Sequence, residues 1–535
     1  MSELAGMTTA EKYDVVVVGG GAAGLSGALA LSRARRSVLV IDAGAPRNLV
    51  AGHVHNYLGR EDTPPSELLS IGRDEVTSYG GEVIVGRVTS AQALAGDETG
   101  FVVTVDDGRT VRGRRLLVTT GLVDELPDVP GLRKRWGRDV LHCPYCHGWE
   151  VRGQELGVIA SNGFALHQAL MFRQWSDDVT LFLNGGPAPS DEAAEQLTAR
   201  GVAVVPEAID GVVVEDDRIT GVRLASGEVV ARQALVVSPR MTARSEVLCT
   251  LGIEAVEQEM NGIAVGTVAP SDPTGANPVP GVWVAGNVAD VRAQVISSAA
   301  AGFNVGAMIN ADLIAEDTRI AVAARRAMQE MFEQPSWEER YRSKPAIWSR
   351  DPNPQVVAET TDLPAGTALD IGSGEGADSL WLAERGWQVT ALDFSKVALA
   401  RAAEHAEATS SEAAGRIDWQ HADLRDWAGD GKSYDLVTSQ FMHLPDGAMT
   451  GFVARLAEAV APGGTLLVVG HHPSDVSTGL RWNAPNMLFT AEELAHEFDR
   501  DTWDVLVAEA RPRETPGPDG DPVTVHDAAL RARRR

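Results

Sequence analysis

The sequence predicts an α/β protein in which parallel, doubly wound sheets occur in both halves of the chain. Three observations carry this. First, β-branched strands run into glycine-rich turns at Val15–Val18, Leu116–Thr119, Leu156–Ile159 and Val282–Ala285. Second, another strand–glycine–helix series begins at Ala368. Third, Ala311–Phe332 carries Ala, Arg, Glu and Met at helical spacing between the two series, and Gln334-Pro335-Ser336 then reads as a helix stop and a boundary. At 535 residues the chain is too long for one hydrophobic core.

Composition narrows the class. A formal net charge of -27 opposes a nucleic-acid or anionic-membrane partner, either of which needs a basic surface. Only three cysteines occur, two of them in one tetrapeptide, so this is no disulfide-stapled scaffold. Val15 to Leu31 is uncharged, but Glu11, Lys12 and Asp14 precede it and glycines punctuate it. It therefore reads as strand, turn and helix rather than signal peptide or membrane span. A cytoplasmic address is expected, and the closing Arg-Ala-Arg-Arg-Arg reads as a solvated tail.

In the first half, Tyr13 to Gly24 spells G-x-G-x-x-G between a strand and a helix. Gly19 permits the tight turn, Gly21 lets a pyrophosphate approach the backbone, and Gly24 lets helix and strand pack closely. Eighteen residues past Gly24, Asp42 ends the second strand as an acceptor for ribose hydroxyls. Downstream, Gly281-Val-Trp-Val-Ala-Gly286-Asn287 precedes Gln294 and a small-residue helix start at Ser297–Gly302. Together these segments resemble the two FAD-binding halves of the thioredoxin reductase family, over about residues 11–325. The resemblance implies a two-domain FAD/NAD(P)-type Rossmann-like flavoprotein. Residues 11–122 and 251–325 would hold FAD, and 123–250 would form a pyridine-nucleotide-like domain carrying the redox cysteines. It also implies a homodimer, and it adds Asn56, Gly286, Asn287 and Gln294 to the FAD set. Asn287 stands where the family usually has Asp.

The segment Leu141-His142-Cys143-Pro-Tyr-Cys146-His147 admits four chemistries. Haem attachment to C-x-x-C-H needs export and an axial partner, and no export signal is seen. One zinc ion could not easily engage all of His142, Cys143, Cys146 and His147, which fall in two adjacent pairs. A glutaredoxin would place CPYC near the start of a small domain. The position matches the thioredoxin reductase C-x-x-C, so a flavin-linked dithiol is the reading taken. By that resemblance Cys146 is the flavin-proximal sulfur and Cys143 exchanges with substrate. His147 stands where the family has Asp, and an imidazole there suits general acid/base work. His142 reads as structural, and Cys249 as a small hydrophobe.

The family's nicotinamide turn corresponds here to Gly157-Val-Ile-Ala160-Ser161-Asn162-Gly163-Phe164. Two turn glycines appear as Ala160 and Asn162, Phe164 is bulky, and Asn184-Gly-Gly-Pro brings no arginine pair. Weak or absent NADPH binding is expected. That pattern with C-x-x-C-H resembles the dithiol oxidases of the gliotoxin and holomycin pathways. It implies a small-molecule dithiol or disulfide as substrate, with a thioredoxin-like or ferredoxin-like protein as a further partner. NADPH-dependent thioredoxin reduction, and a redox sensor or scaffold without turnover, are the alternatives.

In the second half, Thr367-Ala-Leu-Asp370-Ile-Gly372-Ser-Gly374-Glu-Gly376 is a strand running into D-x-G-x-G-x-G. Asp393 ends the next strand seventeen residues past Gly376, Asp423 follows Ile417–His421, and Tyr434–Gln440 is the fourth strand. This resembles class I S-adenosylmethionine-dependent methyltransferases. By resemblance, Asp370, Gly372 and Gly374 shape the methionine site, Asp393 accepts the ribose hydroxyls and Asp423 faces the adenine amine. Residues 326–345 are expected as a linker and 346–535 as this Rossmann-like domain. Trp337-Glu-Glu-Arg-Tyr341 and Gly374–Asp378 resemble the thiopurine and tellurite branch, which implies a small methyl acceptor, taken to be a thiol. Trp337, Trp348 and Phe441 are candidates for the acceptor pocket or the core, and His471 and His472 for an acceptor-site pair. No base is identified.

Overall fold

The computed structural model describes residues 11–535 except 96–98, 424–426, 428, 430, 445–446, 479, 481–486 and 518–520. The chain divides into two compact units between Thr318 and Arg319. In the first, β1 (Lys12–Val18) leads through a glycine turn to α1 (Ala22–Arg33) and β2 (Val38–Asp42). With β3 (Glu82–Val85), β4 (Val88–Ala93), β5 (Phe101–Val105) and β6 (Thr110–Val118) these strands form a sheet ordered β3-β2-β1-β6-β5-β4. The strand Val282–Val284 returns after the inserted segment to pair parallel with β6. Val15 and Val17 enter one buried cluster while Val16 and Val18 enter another. A strand covered on both faces must be apolar at every position, which explains the unbroken valine run.

The insertion forms its own five-stranded parallel sheet around Leu156–Ile159, Val179–Phe182 and Ala234–Val237. The long helix α2 (Val295–Met331) then crosses α1 at backbone contact. A β-carbon on Gly302 would lie 1.9 Å from the Ala23 carbonyl oxygen, so only glycine permits this approach. Gly302→Val is therefore expected to cost about 3 kcal/mol, seen as an earlier thermal unfolding transition of the first unit.

Among the described residues the second unit carries a single sheet. Its strands are β7 (Thr367–Ile371), β8 (Gln388–Asp393), β9 (Ile417–His421), β10 (Tyr434–Gln440), β11 (Val460–His471), β12 (Trp503–Pro516) and β13 (Pro522–Arg534). The order is β9-β8-β7-β10-β11-β13-β12, parallel up to β11 and antiparallel beyond it.

Two expectations are corrected. The terminal arginines are no solvated tail, because they belong to or adjoin β13, an interior strand. Arg531 pairs with Glu359, Arg534 donates to the Val460 carbonyl and Arg535 reaches Asp504. Ala528, Ala529 and Leu530 just ahead of them and Ala532 among them are buried, so the chain is held by its neighbours rather than by intrinsic strand preference. The stretch 326–345 is no simple linker either. It contains the end of α2 and a helix Gln334–Ser343, in which Tyr341 is buried within the second unit. Pro335 sits in the first turn of that helix, where its missing N–H costs nothing, so it starts a helix as well as following one. Among the described residues, no helix is long and apolar enough to cross a membrane.

Candidate active sites

The glycine turn after β1 is built as its spacing requires. Gly19 has φ +105, and a β-carbon there would lie 2.6 Å from the Thr119 carbonyl oxygen. A β-carbon on Gly24 would lie 1.9 Å from the Gly19 carbonyl oxygen. A β-carbon on Gly21, by contrast, would meet nothing within 4 Å, because this backbone faces a cavity of about 1170 Å³. That opening is what close approach of a pyrophosphate needs. Asp42, Gly286, Asn287 and Gln294 line the same cavity, and so do Cys143, Cys146 and His147. The structure thus gathers one predicted set from four distant stretches.

The two cysteines are unbridged. The Cys146 thiol donates to the Cys143 sulfur, and the Cys146 and Tyr145 backbone amides add to it. This brings the Cys143 thiol down to about 7 and pushes that of Cys146 up. Arg47, held bidentate by Asp124 at 2.8 and 2.6 Å, favours the Cys143 thiolate further. Gln294 Nε2 lies 3.7 Å from the Cys143 sulfur. Reduced protein treated with limiting iodoacetamide should therefore label Cys143 before Cys146. Its rate should rise with pH through about 7 rather than through the usual thiol range near ~8.5. Peptide mapping checks both.

Asn287 explains its own departure from aspartate. Its amide donates to the carbonyls of Asp290 (3.0 Å) and Ala293 (2.8 Å), which a carboxylate cannot do, while its oxygen accepts from Arg47 at 3.3 Å. It shapes the turn that presents Gln294. Asn56 requires a correction. Its side chain donates to the Tyr145 carbonyl at 2.6 Å and it lines a second cavity of about 510 Å³, so it positions the cysteine turn instead of facing the glycine turn. That smaller cavity reaches Cys146 and is walled by His55, Glu61, Tyr145, Trp149 and Glu150.

His147 is largely buried, and burial lowers its basicity, so the imidazole stays neutral near pH 7. Its Nε2 is buried without a hydrogen bond, an arrangement suited to taking up a proton released beside Cys146. His142 is also kept neutral by burial, and its Nδ1 bonds the Val237 carbonyl at 3.1 Å.

At the nicotinamide-type turn, Ser161 and Asn162 both donate to the Ser238 carbonyl, and Phe164 packs against the buried cluster that contains Met241. A β-carbon on Gly163 would strike Ile263 at 2.7 Å.

In the second unit, Gly372 (φ +73) and Gly374 (φ +53) form the turn after β7. Asp393 accepts the Gly374 amide at 2.9 Å and the Ser395 amide at 2.8 Å. Asp370 lies buried beneath the turn, where loss of solvent and the nearby Asp378 push its carboxyl up to about 7, against a 2.5 Å hydrogen bond from Ser379. Asp423 follows β9, partly buried. Tyr341 and Trp348 close over Gly374, with Tyr341 Oη only 3.2 Å from its would-be β-carbon. Glu375 secures this cover by accepting the Ile347 and Trp348 amides. Beyond β10, Phe441 and His443 stack on His471, with ring centroids 4.6 and 5.1 Å apart. Arg47 acquires its place only through tertiary packing, and no local spacing announces it, whereas Tyr341 and Trp348 come from the stretch already singled out in the sequence.

These sites match known proteins. Residues 13–303 match the pyridine nucleotide-disulphide oxidoreductase family and residues 368–464 a methyltransferase domain. Thioredoxin reductase sirT of Leptosphaeria maculans is 30% identical over 319 residues, covering 57% of this chain and 95% of that protein. Thioredoxin reductase tcpT of Claviceps purpurea is 30% identical, covering 58% and 97%. Among solved structures, HlmI is 45% identical with a TM-score of 0.55, covering 59% of this chain and 96% of that one. An oxidoreductase from Agrobacterium tumefaciens is 35% identical with a TM-score of 0.53, covering 57% and 99%. The family implies a flavin and a pyridine nucleotide, and the methyltransferase domain implies S-adenosylmethionine. With its dithiol gathered into the cavity of the β1 glycine turn, the chain belongs to the pyridine nucleotide-disulphide oxidoreductase family, as a thioredoxin reductase-like enzyme fused to a methyltransferase.

Proposed function

We propose that the first unit uses FAD to interconvert a small-molecule dithiol and its disulfide through Cys143 and Cys146, and that the second S-methylates a small thiol. The observation that carries the redox reading is that both sulfurs share one cavity with Gly21, Asp42 and Gln294. When bound there, the flavin supplies the two-electron acceptor or donor. The protein supplies the thiols and moves the protons. In the oxidising direction one substrate thiolate attacks the Cys143–Cys146 disulfide at Cys143, and the second displaces Cys143. The substrate leaves as a disulfide, its electron pair left on the two cysteines. His147 takes or returns the proton at Cys146.

Pyridine nucleotide binds weakly or not at all on this reading, because the turn that would hold its phosphates is occupied by internal hydrogen bonds and Phe164 packing. The printed names of the relatives favour the second reading, an NADPH-dependent thioredoxin reductase. Anaerobic mixing separates them. Dithiothreitol should bleach the flavin and NADPH should not; rapid bleaching by NADPH moves the assignment to the second reading. A homodimer and a thioredoxin-like or ferredoxin-like partner belong to the same proposal.

A further inference from the structure

Dithiol chemistry moves a proton to and from Cys146, and His147, which handles it, is itself largely buried with no hydrogen bond at Nε2. Other groups must carry that proton to solvent, and the loop 54–63 brings them. A bridge between Val54 and Thr63 closes this loop, and Asn56 turns it with φ +60. Glu61 folds back across the turn. One of its oxygens accepts the Asn56 N–H at 2.9 Å, and the other lies 2.7 Å from His55 Nδ1. Those two bonds, that of His55 first, hold the Glu61 carboxyl below its ordinary range, so it is an ionised acceptor. Asn56 in turn ties the loop to the cysteine turn through the Tyr145 carbonyl at 2.6 Å, next to Cys146. His55 is thereby anchored beside the dithiol by its own chain neighbour.

An acceptor on Nδ1 keeps the imidazole proton there and leaves Nε2 as the nitrogen that can take another. Nε2 lies 3.5 Å from Glu150, just beyond the cysteine helix Pro144–His147. The His55 side chain is 16% exposed and that of Glu150 43%, so the ring stands between the dithiol and a carboxylate in contact with solvent. His55 and Cys146 border both the cavity of the β1 glycine turn and the smaller one of about 510 Å³. A polar space of that size holds water that can join them. Charge acts in the same sense. A proton on His55 disfavours one on His147, while Glu150 favours it, so the two rings pass one proton between them instead of holding two. The remaining charged neighbours are His53, with its ring centroid 6.5 Å away, and Asp62, 3.5 Å from His53.

We propose that His55, oriented by Glu61, relays the Cys146 proton between His147 and solvent, with Glu150 as the outer station. This rests on the reading of Cys143 and Cys146 as a redox dithiol. When a substrate thiolate attacks Cys143, the S–S bond breaks and its electron pair goes to Cys146. A proton then travels from water at Glu150 through His55 and His147 to that sulfur. Closure of the disulfide runs the chain outward. Cys146 gives up its proton as its sulfur attacks Cys143 in the mixed disulfide, and the outgoing thiolate takes the electron pair.

The test uses the intact flavin-loaded protein with Cys249→Ser, so that only the pair reacts. It is reduced, freed of reductant and mixed anaerobically with one equivalent of 5,5′-dithiobis(2-nitrobenzoate), whose leaving thiolate stays ionised at neutral pH. Attack by Cys143 releases the first coloured thiolate, and closure by Cys146 releases the second. His55→Ala should slow the second release about tenfold and leave the first nearly unchanged. Added imidazole should restore the second in proportion to its concentration, and Glu61→Gln should show the same split more weakly. An unchanged second release overturns the relay, and so does a loss that imidazole does not restore. Should the wild type release only one thiolate, the dithiol reading fails by itself. The relay is then judged from the titration of the His147 ring, followed by NMR of isotope-labelled histidine. His55→Ala should raise its midpoint and Glu150→Gln lower it; an unmoved midpoint overturns the relay.

Discussion

Cys143→Ser is expected to reduce dithiol turnover at least a thousandfold while the protein keeps its flavin absorbance. The reason lies in the asymmetry between the two sulfurs. Cys143 is the one whose thiolate is stabilised by the Cys146 thiol, two backbone amides and Arg47. A hydroxyl in its place is neither ionised near neutrality nor able to form the mixed disulfide. The glycine turn is shaped by Thr119 and its own backbone, so cofactor retention should survive. The measurement is steady-state oxidation of dithiothreitol beside the visible spectrum of the same sample. Retained turnover would remove the pair from the redox path, and loss of colour along with turnover would leave Cys143 a structural role only.

The second large effect falls on the other unit. Asp393→Ala is expected to weaken S-adenosylhomocysteine binding about a hundredfold, roughly 2.7 kcal/mol. Two consequences add. The acceptor that the methyltransferase resemblance assigns to the ribose hydroxyls is lost, and the Gly374 and Ser395 amides, held at 2.9 and 2.8 Å, lose their shared partner just where the turn must keep its shape. Titration calorimetry on the intact chain reads the change, while dithiothreitol oxidation by the first unit should be unaltered. Unchanged affinity would exclude Asp393 from the cofactor site.

What the sequence made legible was chemistry written at short range. Gly19, Gly21 and Gly24 declare a nucleotide turn because strand, turn and helix constrain one another within a dozen residues, and Asp42 lies one strand farther on. Gly372, Gly374 and Asp393 follow the same logic. The functions of Arg47 and Asn56 were hidden because each acts on a segment far along the chain, at Asp124 and at the Tyr145 carbonyl. Asn287 shows a subtler limit. Standing where the family usually has Asp, it is a donor to two carbonyls, a role visible only once the turn is folded. The terminal arginines misled because charge dominates their composition, whereas their fate is set by the alanines and leucine beside them, which β11 and β12 bury. His526 and Asp475, 51 positions apart, meet only because β13 returns beside β11.

That return has a consequence for how the second unit fails. Since β13 lies between β11 and β12, the outermost strand joins the sheet through its hairpin mate, with Arg511 also tying it to Glu359. Proteolytic clipping ahead of Pro522 would unzip two ribbons at once and bare the backbone of Leu466–Val469, a greasy rim ready to pair with its counterpart on another molecule. Such trimmed protein should clump while its yellow half stays intact, leaving aggregates that still carry redox-competent flavin.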